Sequence, residues 1–367
     1  MFGDFLYFNS KFQTFGIAFL IVCTIICPFQ TQQLQALNQP DLEFDTGVAF
    51  KHLEEYDQLA PLLPGSENSK EFLEYAKKTL ENSLWSVEIQ SWEHSSPQIT
   101  LNNLIAKKSN QNNNFKGIIV LGAHYDARAW ADKDPDRNKR KDPVPGINDG
   151  GSGVVVLLEL ARALSIPEGY EVWIVLFDAE DQGGISGWRG GQSGWIIGST
   201  HFVKSLSDSD KNRMKLAVIL DIVGDYNLNL HKERSSDAQQ TNRIWELANE
   251  LGYGENFLDQ TGSSIIDDHR PFIDAGIPAV DIIQQRSKDG YDFFRWHHTT
   301  NDTIENVDRK SLSKVGRTME YYLEYYFELD PMSSNLILSI LIISAVIVLF
   351  VTLVFVFRKK LFKKRYN

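Results

Sequence analysis

Four short apolar runs, each closed by a polar cluster, constrain the fold most: "GIIVLGAHYD" (117–126), "EVWIVLFDAED" (171–181), "LAVILDIVGD" (216–225) and "PAVDIIQ" (278–284). Their length and β-branched content suit buried strands rather than helices. Helical runs separate them, among them "SGVVVLLELARAL" (152–164) and "RIWELANELGY" (243–253). Strands alternating with helices predict an α/β fold with a mostly parallel sheet covered on both faces. Ligands of such sheets sit beyond the carboxyl ends of the strands. His124, Asp126, Glu180, Asp181 and Asp221 all fall at such ends.

Two helical patterns come earlier, "GVAFKHLEEYDQLA" and "SKEFLEYAKKTLENSL", with Asn68 and Ser69 offering cap oxygens to the second. The polar stretch "SNQNNNFKG" (109–117) reads as a hairpin-like turn after "WSVEIQSW" and "NNLIAKK". No internal repeat and no composition break divide residues 45–328, so residues 40–330 are expected to form one catalytic-sized domain.

The ends are of another kind. Leu336 to Phe357 is 22 residues without a charge, long enough to cross a hydrocarbon core of about 30 Å as a transmembrane helix. The tail at 358–367, "RKKLFKKRYN", carries six positive charges and no acid, which places the C-terminus in the cytoplasm and the large domain outside it. Residues 1–30 contain a shorter apolar run, Phe15 to Phe29, that suits either a cleaved signal peptide or a retained anchor. A single-pass protein of the cell membrane is expected, two-pass if that segment stays. Both cysteines, Cys23 and Cys27, lie in this run, leaving the exported part without disulfide or thiol chemistry. The net charge of −11 includes the basic tail, so the domain itself is strongly acidic and nucleic acid is not expected as a partner.

Several residues could carry chemistry. His124 in "GAHYDAR" and Asp149 in the Gly-rich "VPGINDGGSG" are metal-ligand types at positions where backbone approaches a site. In "FDAEDQG", adjacent carboxylates can serve one centre only where a strand ends and the chain turns, and Gly183 and Gly184 allow that turn. One acid could then bind metal while the other stays a general base. Asp221 in "LDIVGD", Asp267, Asp268 and His269 in "IIDDHRPFIDAGIPAV", and His297 and His298 in "FFRWHHTTNDTIENVD" complete five acid or histidine clusters at sheet-end loops. Together they point to a zinc site.

In the order "HYD", "NDGGSG", "AED", "LDIVG", "DDHRPFIDAGIP", "HTTNDTIENVD", the chain over about 45–328 resembles the zinc-dependent exopeptidases of the co-catalytic zinc aminopeptidase type, which include the glutaminyl cyclases. The resemblance implies a three-layer α/β/α sandwich around a twisted, mostly parallel mixed sheet. It implies Asp149, Asp181 and His298 as ligands of one zinc and Glu180 as the general base, with Asp181 standing where many relatives carry Glu. His124 and Asp221 match the ligands of a second zinc in the aminopeptidases, with Asp149 bridging. One Zn2+ is expected of a cyclase and two of an aminopeptidase. The substrates in either case are peptide or protein N-termini.

The insert after the acid pair favours a cyclase. Gly198-Ser199 comes 17 positions after Asp181, a delay similar to the long cyclase insert whose tryptophan walls the pocket. Trp188 is the expected wall, with Trp195 as second choice. The resemblance further implies Asp221 and Asp268 holding the base and the amide nitrogen by hydrogen bonds. In cyclases a tryptophan directly precedes the zinc histidine; here Trp296 lies one position further back and His297 intervenes, so His297 could replace the indole, swing away or itself be the ligand. The expectation is a membrane-anchored glutaminyl-peptide cyclotransferase, with a two-zinc aminopeptidase and a non-catalytic receptor-like ectodomain as alternatives.

Overall fold

The computed structural model describes residues 41–110 and 115–326 and the single residue Ile342. The chain divides into two compact units, Met1–Leu42 and Glu43–Asn367, and all the helices and strands named here belong to the second. Among the described residues no helix is long and apolar enough to cross a membrane; the expected segments at 1–30, 336–357 and 358–367 lie outside them, Ile342 apart.

Helices α1 (Thr46–Leu59) and α2 (Glu67–Asn82) lead into strands β1 (Ser86–Ser95), β2 (Gln98–Ser109) and β3 (Gly117–His124). Then come α3 (Gly151–Ala163), β4 (Tyr170–Phe177), α4 (Ile197–Ser205), α5 (Asp208–Arg213) and β5 (Met214–Asp221). The rest comprises β6 (Leu230–Lys232), α6 (Ala238–Glu250), β7 (Phe257–Thr261), α7 (Arg270–Asp274), β8 (Ala279–Ile283) and α8 (Arg309–Tyr321). The main sheet has the order β1-β2-β4-β3-β5-β8. The four strands read as apolar runs, β4, β3, β5 and β8, are its parallel half, and the β1–β2 hairpin extends it antiparallel.

The parallel strands are buried because both faces are covered. On one face Ile118, Val120, Val175, Phe177 and Ile219 pack with Phe202 of α4 and Phe272 of α7. On the other lies α3, buried along nearly its whole length, which explains an apolar pattern with no polar face. Helices α1 and α8 pack over α3.

Two local expectations need correction. Helix α2 starts at Glu67, capped by Ser66, whose hydroxyl accepts from Ser69 N at 3.1 Å. Asn68 cannot cap because its amide donates to Leu59 O, and the Ser69 hydroxyl donates to Leu63 O. The hairpin turn falls at Ser96-Pro97, between β1 and β2, and not at 109–117, since β4 intervenes between β2 and β3. The small β6–β7 sheet has no periodic signal in the sequence; its strands of 3 and 5 residues are too short to display one.

Candidate metal centre and its surroundings

Three parallel strands deliver their ends to one place. His124 closes β3, Asp221 closes β5, and β4 runs out at Phe177 just before Asp178-Ala179-Glu180-Asp181. The turn that lets two neighbouring acids serve one site is made by Ala179, left-handed at φ 52°, not by the glycines after them. Asp126 holds the turned backbone: its carboxylate accepts from Glu180 N at 2.8 Å, Asp181 N at 3.3 Å and Gln182 Nε2 at 2.9 Å. Gly183 has a different duty. A Cβ there would lie 1.8 Å from the Trp195 indole, so only glycine admits that ring.

Asp149 precedes α3 in a loop that Gly150 turns at φ 85°. Asp302 fixes the loop, accepting from Asn148 N at 2.9 Å and Asp149 N at 3.1 Å. The Asp149 carboxylate then faces two ways. Its Oδ1 is 3.3 Å from His124 Nε2, and its Oδ2 is 3.6 Å from His297 Nε2 and 3.9 Å from His298 Nε2. His124 Nε2 is also 3.2 Å from Asp221 Oδ1, and His298 Nε2 is 3.3 Å from Asp181 Oδ1. All six residues are buried. Site residues also sit on strained backbone: His298 is left-handed at φ 57° and Ile222, after Asp221, at φ 48°.

This donor set fits divalent metal. Two groups, Asp149 with His297 and His298 and His124 with Asp149 and Asp221, each bring three ligand atoms within 4.8 Å of one another. Asp149 Oδ2 is buried with no hydrogen-bond partner, as a ligand atom would be. Asp149 and His298 of the first group would hold one ion, with Asp181, whose Oδ1 is 3.3 Å from His298 Nε2, as a third ligand outside that group, and His124 and Asp221 share Asp149 as they would around a second.

The protein assigns different tasks to the two consecutive histidines. Lys133 Nζ lies 2.7 Å from His297 Nδ1, and an ammonium can only donate, so Nδ1 accepts and Nε2 carries the proton. His297 is then a donor at Nε2 and has no lone pair there for a metal. Burial first, then His298, Lys133 and Arg128, push its pKa well down, keeping the ring neutral. His298 faces the opposite neighbour: Asp132 Oδ1 is 3.3 Å from its Nδ1, within ion-pair reach though not aligned as a hydrogen bond. Burial lowers the His298 pKa, but Asp181 first, then Asp132 and Asp149, raise it overall, so positive charge is favoured at this ring: a proton at Nδ1 beside Asp132, and a proton or a cation at Nε2 between Asp181 and Asp149. The pair Asp132-Lys133 thus treats the two rings differently, and of the two His298 is the one suited to ligate.

Arg128 ties these parts together. It donates to both Asp132 oxygens, at 3.0 and 3.1 Å, to Asp181 O and Oδ1, and to Gly183 O, and its guanidinium lies 4.9 Å from the Trp195 ring centroid. Arg128, Asp132, Lys133 and Asp302 were not singled out from the sequence. The signals present were the arginine two residues beyond Asp126 in "GAHYDAR" and the Asp of "HTTND".

The remaining expected residues fall around this cluster. Glu180 is buried, and burial first, then Asp268, Asp267 and Asp181, raise its pKa well above the usual carboxylate range. Burial pushes Asp268 up to about 7 and raises Asp221. Trp188 packs in the insert, 5.9 Å from the His94 ring and against Leu101, Ala179 and Ile197. The insert tryptophan at the metal cluster is Trp195, stacked on His298 at 6.0 Å and 19°. Trp296 packs with Ile222, Ile283 and Phe294, under the Arg295 guanidinium. His297 occupies the place beside His298, with ring centroids 3.8 Å apart.

Several known proteins are similar to this chain in sequence and fold. Aminopeptidase YwaD of Bacillus subtilis is 31% identical over 228 residues, 59% of this chain and 43% of that protein, so the chain spans under half of that relative's length. The crystal structure of Tannerella forsythia glutaminyl cyclase is similar with a TM-score of 0.69 at 30% identity, covering 77% of this chain and 99% of that one. A leucine aminopeptidase precursor from Bacteroides thetaiotaomicron has a TM-score of 0.69 at 28% identity, covering 78% and 99%. The profile of Peptidase family M28 matches residues 103–323, more than half of the chain, and with its ligand-bearing strand ends in the arrangement described, the chain belongs to that family.

Proposed function

We propose that this chain is a zinc-dependent glutaminyl-peptide cyclotransferase, converting an N-terminal Gln to pyroglutamate with release of ammonia, and that residues 336–357 anchor it in a membrane with the catalytic domain outside the cytoplasm. One observation carries the reading: the insert after the acid pair returns Trp195 to stack on His298, walling the metal cluster with an indole. Such a wall suits a pocket for one flat terminal side chain. The similarity to the Tannerella forsythia cyclase along 99% of its length supports it.

The reaction forms a bond between the α-nitrogen and the γ-carboxamide carbon and breaks the bond to the amide nitrogen, while one proton moves from the first nitrogen to the second. Zinc held by Asp149, Asp181 and His298 would supply Lewis-acid polarisation of the amide oxygen. Glu180, buried and with a raised pKa, is suited to accept the amine proton and return it to the departing ammonia. Asp268, whose charge acts on Glu180, and Asp221, both buried with raised pKa, would hold the base and the amide nitrogen by hydrogen bonds. His297, fixed as an Nε2–H donor by Lys133, faces Asp149 and any group bound next to it. Ring closure gains chiefly from holding amine and amide together.

A second reading, a two-zinc aminopeptidase, is favoured by Asp149, whose two oxygens face separate histidine groups as a bridging carboxylate would. Incubation of the purified chain with Gln-initiated peptides decides between them. Ammonia release with a mass loss of one ammonia supports the cyclase; free N-terminal residues and two zinc ions per chain support the aminopeptidase.

A further inference from the structure

Beside the carboxylates assigned to the proposed reaction, the structure holds a third group of metal-ligating atoms: Asp267 and His269 flank Asp268, and Asp267 lies near enough to Asp221 and Glu180 for their charges to act on one another. Asp267 and His269 precede α7, and Asp281 lies in β8, on the side of the sheet where Ala279 packs with Phe272. None is more than 2% exposed. One ligand atom from each lies within 4.8 Å of the other two, and His269 Nδ1 is 3.3 Å from Asp281 Oδ2.

The hydrogen bonding around this group is satisfied on one side and missing on the other. Glu233 sits behind His269, 3.5 Å from its Nε2, and accepts from Ser235 Oγ, Ser236 N, Ser236 Oγ and Ile265 N. The Ser235 hydroxyl spends its one hydrogen on Glu233 at 2.8 Å, so its oxygen, 3.2 Å from His269 Nε2, can only accept from that ring. Nε2 is therefore protonated, and in the neutral ring Nδ1 is a bare lone pair aimed at the carboxylates.

Opposite it, Asp281 Oδ1 and Oδ2 and Asp267 Oδ2 have no hydrogen-bond partner, nor does His269 Nδ1. The other Asp267 oxygen is occupied by the Asp268 N–H. Two carboxylates and an imidazole lone pair converging in an interior closed to water are strongly unfavourable unless a cation, or a proton shared between Asp267 and Asp281, lies between them.

We propose that Asp267, His269 and Asp281 bind one divalent cation of the zinc class, separate from the metal centre at Asp149, with Glu233 orienting the histidine from behind. Two carboxylates and an imidazole nitrogen are the donor types zinc accepts. The 3.3 Å separation matches the edge of about 3.4 Å expected of a tetrahedron with bonds of about 2.1 Å. A carboxylate behind a ligating histidine is the usual supporting arrangement. Because the group is enclosed, the ion would enter as the chain folds and leave slowly.

The test uses the full-length chain and zinc chloride alone. In the His124→Ala/His298→Ala background, which removes ligands from both groups at Asp149, dialysed protein should retain one zinc per chain by elemental analysis. Adding Asp281→Asn should bring it to background. Zinc at background in the folded double variant, or retained after Asp281→Asn, overturns the proposal; the first result would assign the cluster a proton shared between Asp267 and Asp281. Should the added substitution prevent folding, anomalous diffraction at the zinc edge from wild-type crystals decides: a peak among Asp267, His269 and Asp281 supports the site, and a peak at Asp149 without one here overturns it.

Discussion

Asp132→Ala should weaken the metal centre without touching any residue expected to ligate. Asp132 is 3.3 Å from His298 Nδ1 and paired with Arg128, and its removal frees the imidazole to take the wrong tautomer. Loss of a carboxylate behind a ligating histidine costs about 10–100-fold in metal affinity. The Asp132 side chain is 44% exposed, and solvent screening weakens its hold on the ring, so the lower end applies: about tenfold, or ~1.4 kcal/mol. Arg128 keeps Asp181 and Gly183 as partners, so the loop should not collapse. Zinc affinity by competition with a chromogenic chelator is the assay, with near-unchanged thermal stability of the zinc-stripped protein as control. Unchanged affinity would refute the assignment of His298 through Asp132; an equal effect from Lys133→Met would refute the division of labour between the two histidines.

The same geometry sets three more outcomes. Glu180→Gln should lower kcat by about 10²–10⁴-fold while metal content and Tm stay near wild type; retained turnover would remove the proton carrier from the mechanism. Trp195→Ala should raise KM for Gln-initiated peptides more than Trp188→Ala, since Trp195 stacks on His298 and Trp188 on His94; the reverse order would restore Trp188 as the pocket wall. His52, lowered by burial from 6.5 to about 4, contributes stability that is present above pH 6.5 and lost as pH falls through about 4. The contribution is on the order of 3 kcal/mol, and in His52→Gln the decline of Tm between pH 6.5 and 4 should be shallower; parallel curves would disprove it.

The parallel strands were legible because each is an uninterrupted apolar run whose last residues change character abruptly, as "GIIVLGAH" does at His124. The same abruptness marked the acids and histidines that converge at the sheet edge. Anything depending on where the loops go could not be read. Asp132 and Lys133 look like a solvated charge run in "AWADKDPDRNKRKDP", yet they fold onto His298 and His297, more than 160 residues away. The choice between Trp188 and Trp195 likewise rests on the path of the insert, which Ser96 and Arg189 pin to the β1–β2 turn. The turn at Ala179 escaped notice because alanine carries no left-handed preference; Asp126 imposes it from another strand end.

The loop that seats the two histidines also bears on how the domain assembles. Its anchoring contacts join residues 154, 164 and 166 positions apart: Asn148 to Asp302, Lys133 to His297, and Asp134 to Thr300. Closures across such distances come late, after the intervening strands have paired, because the entropy of bringing the ends together is not offset until the sheet exists. A nascent or partly unfolded chain would thus display Asp149 and the acid pair without His298, and catalytic competence would report on completion of the whole domain.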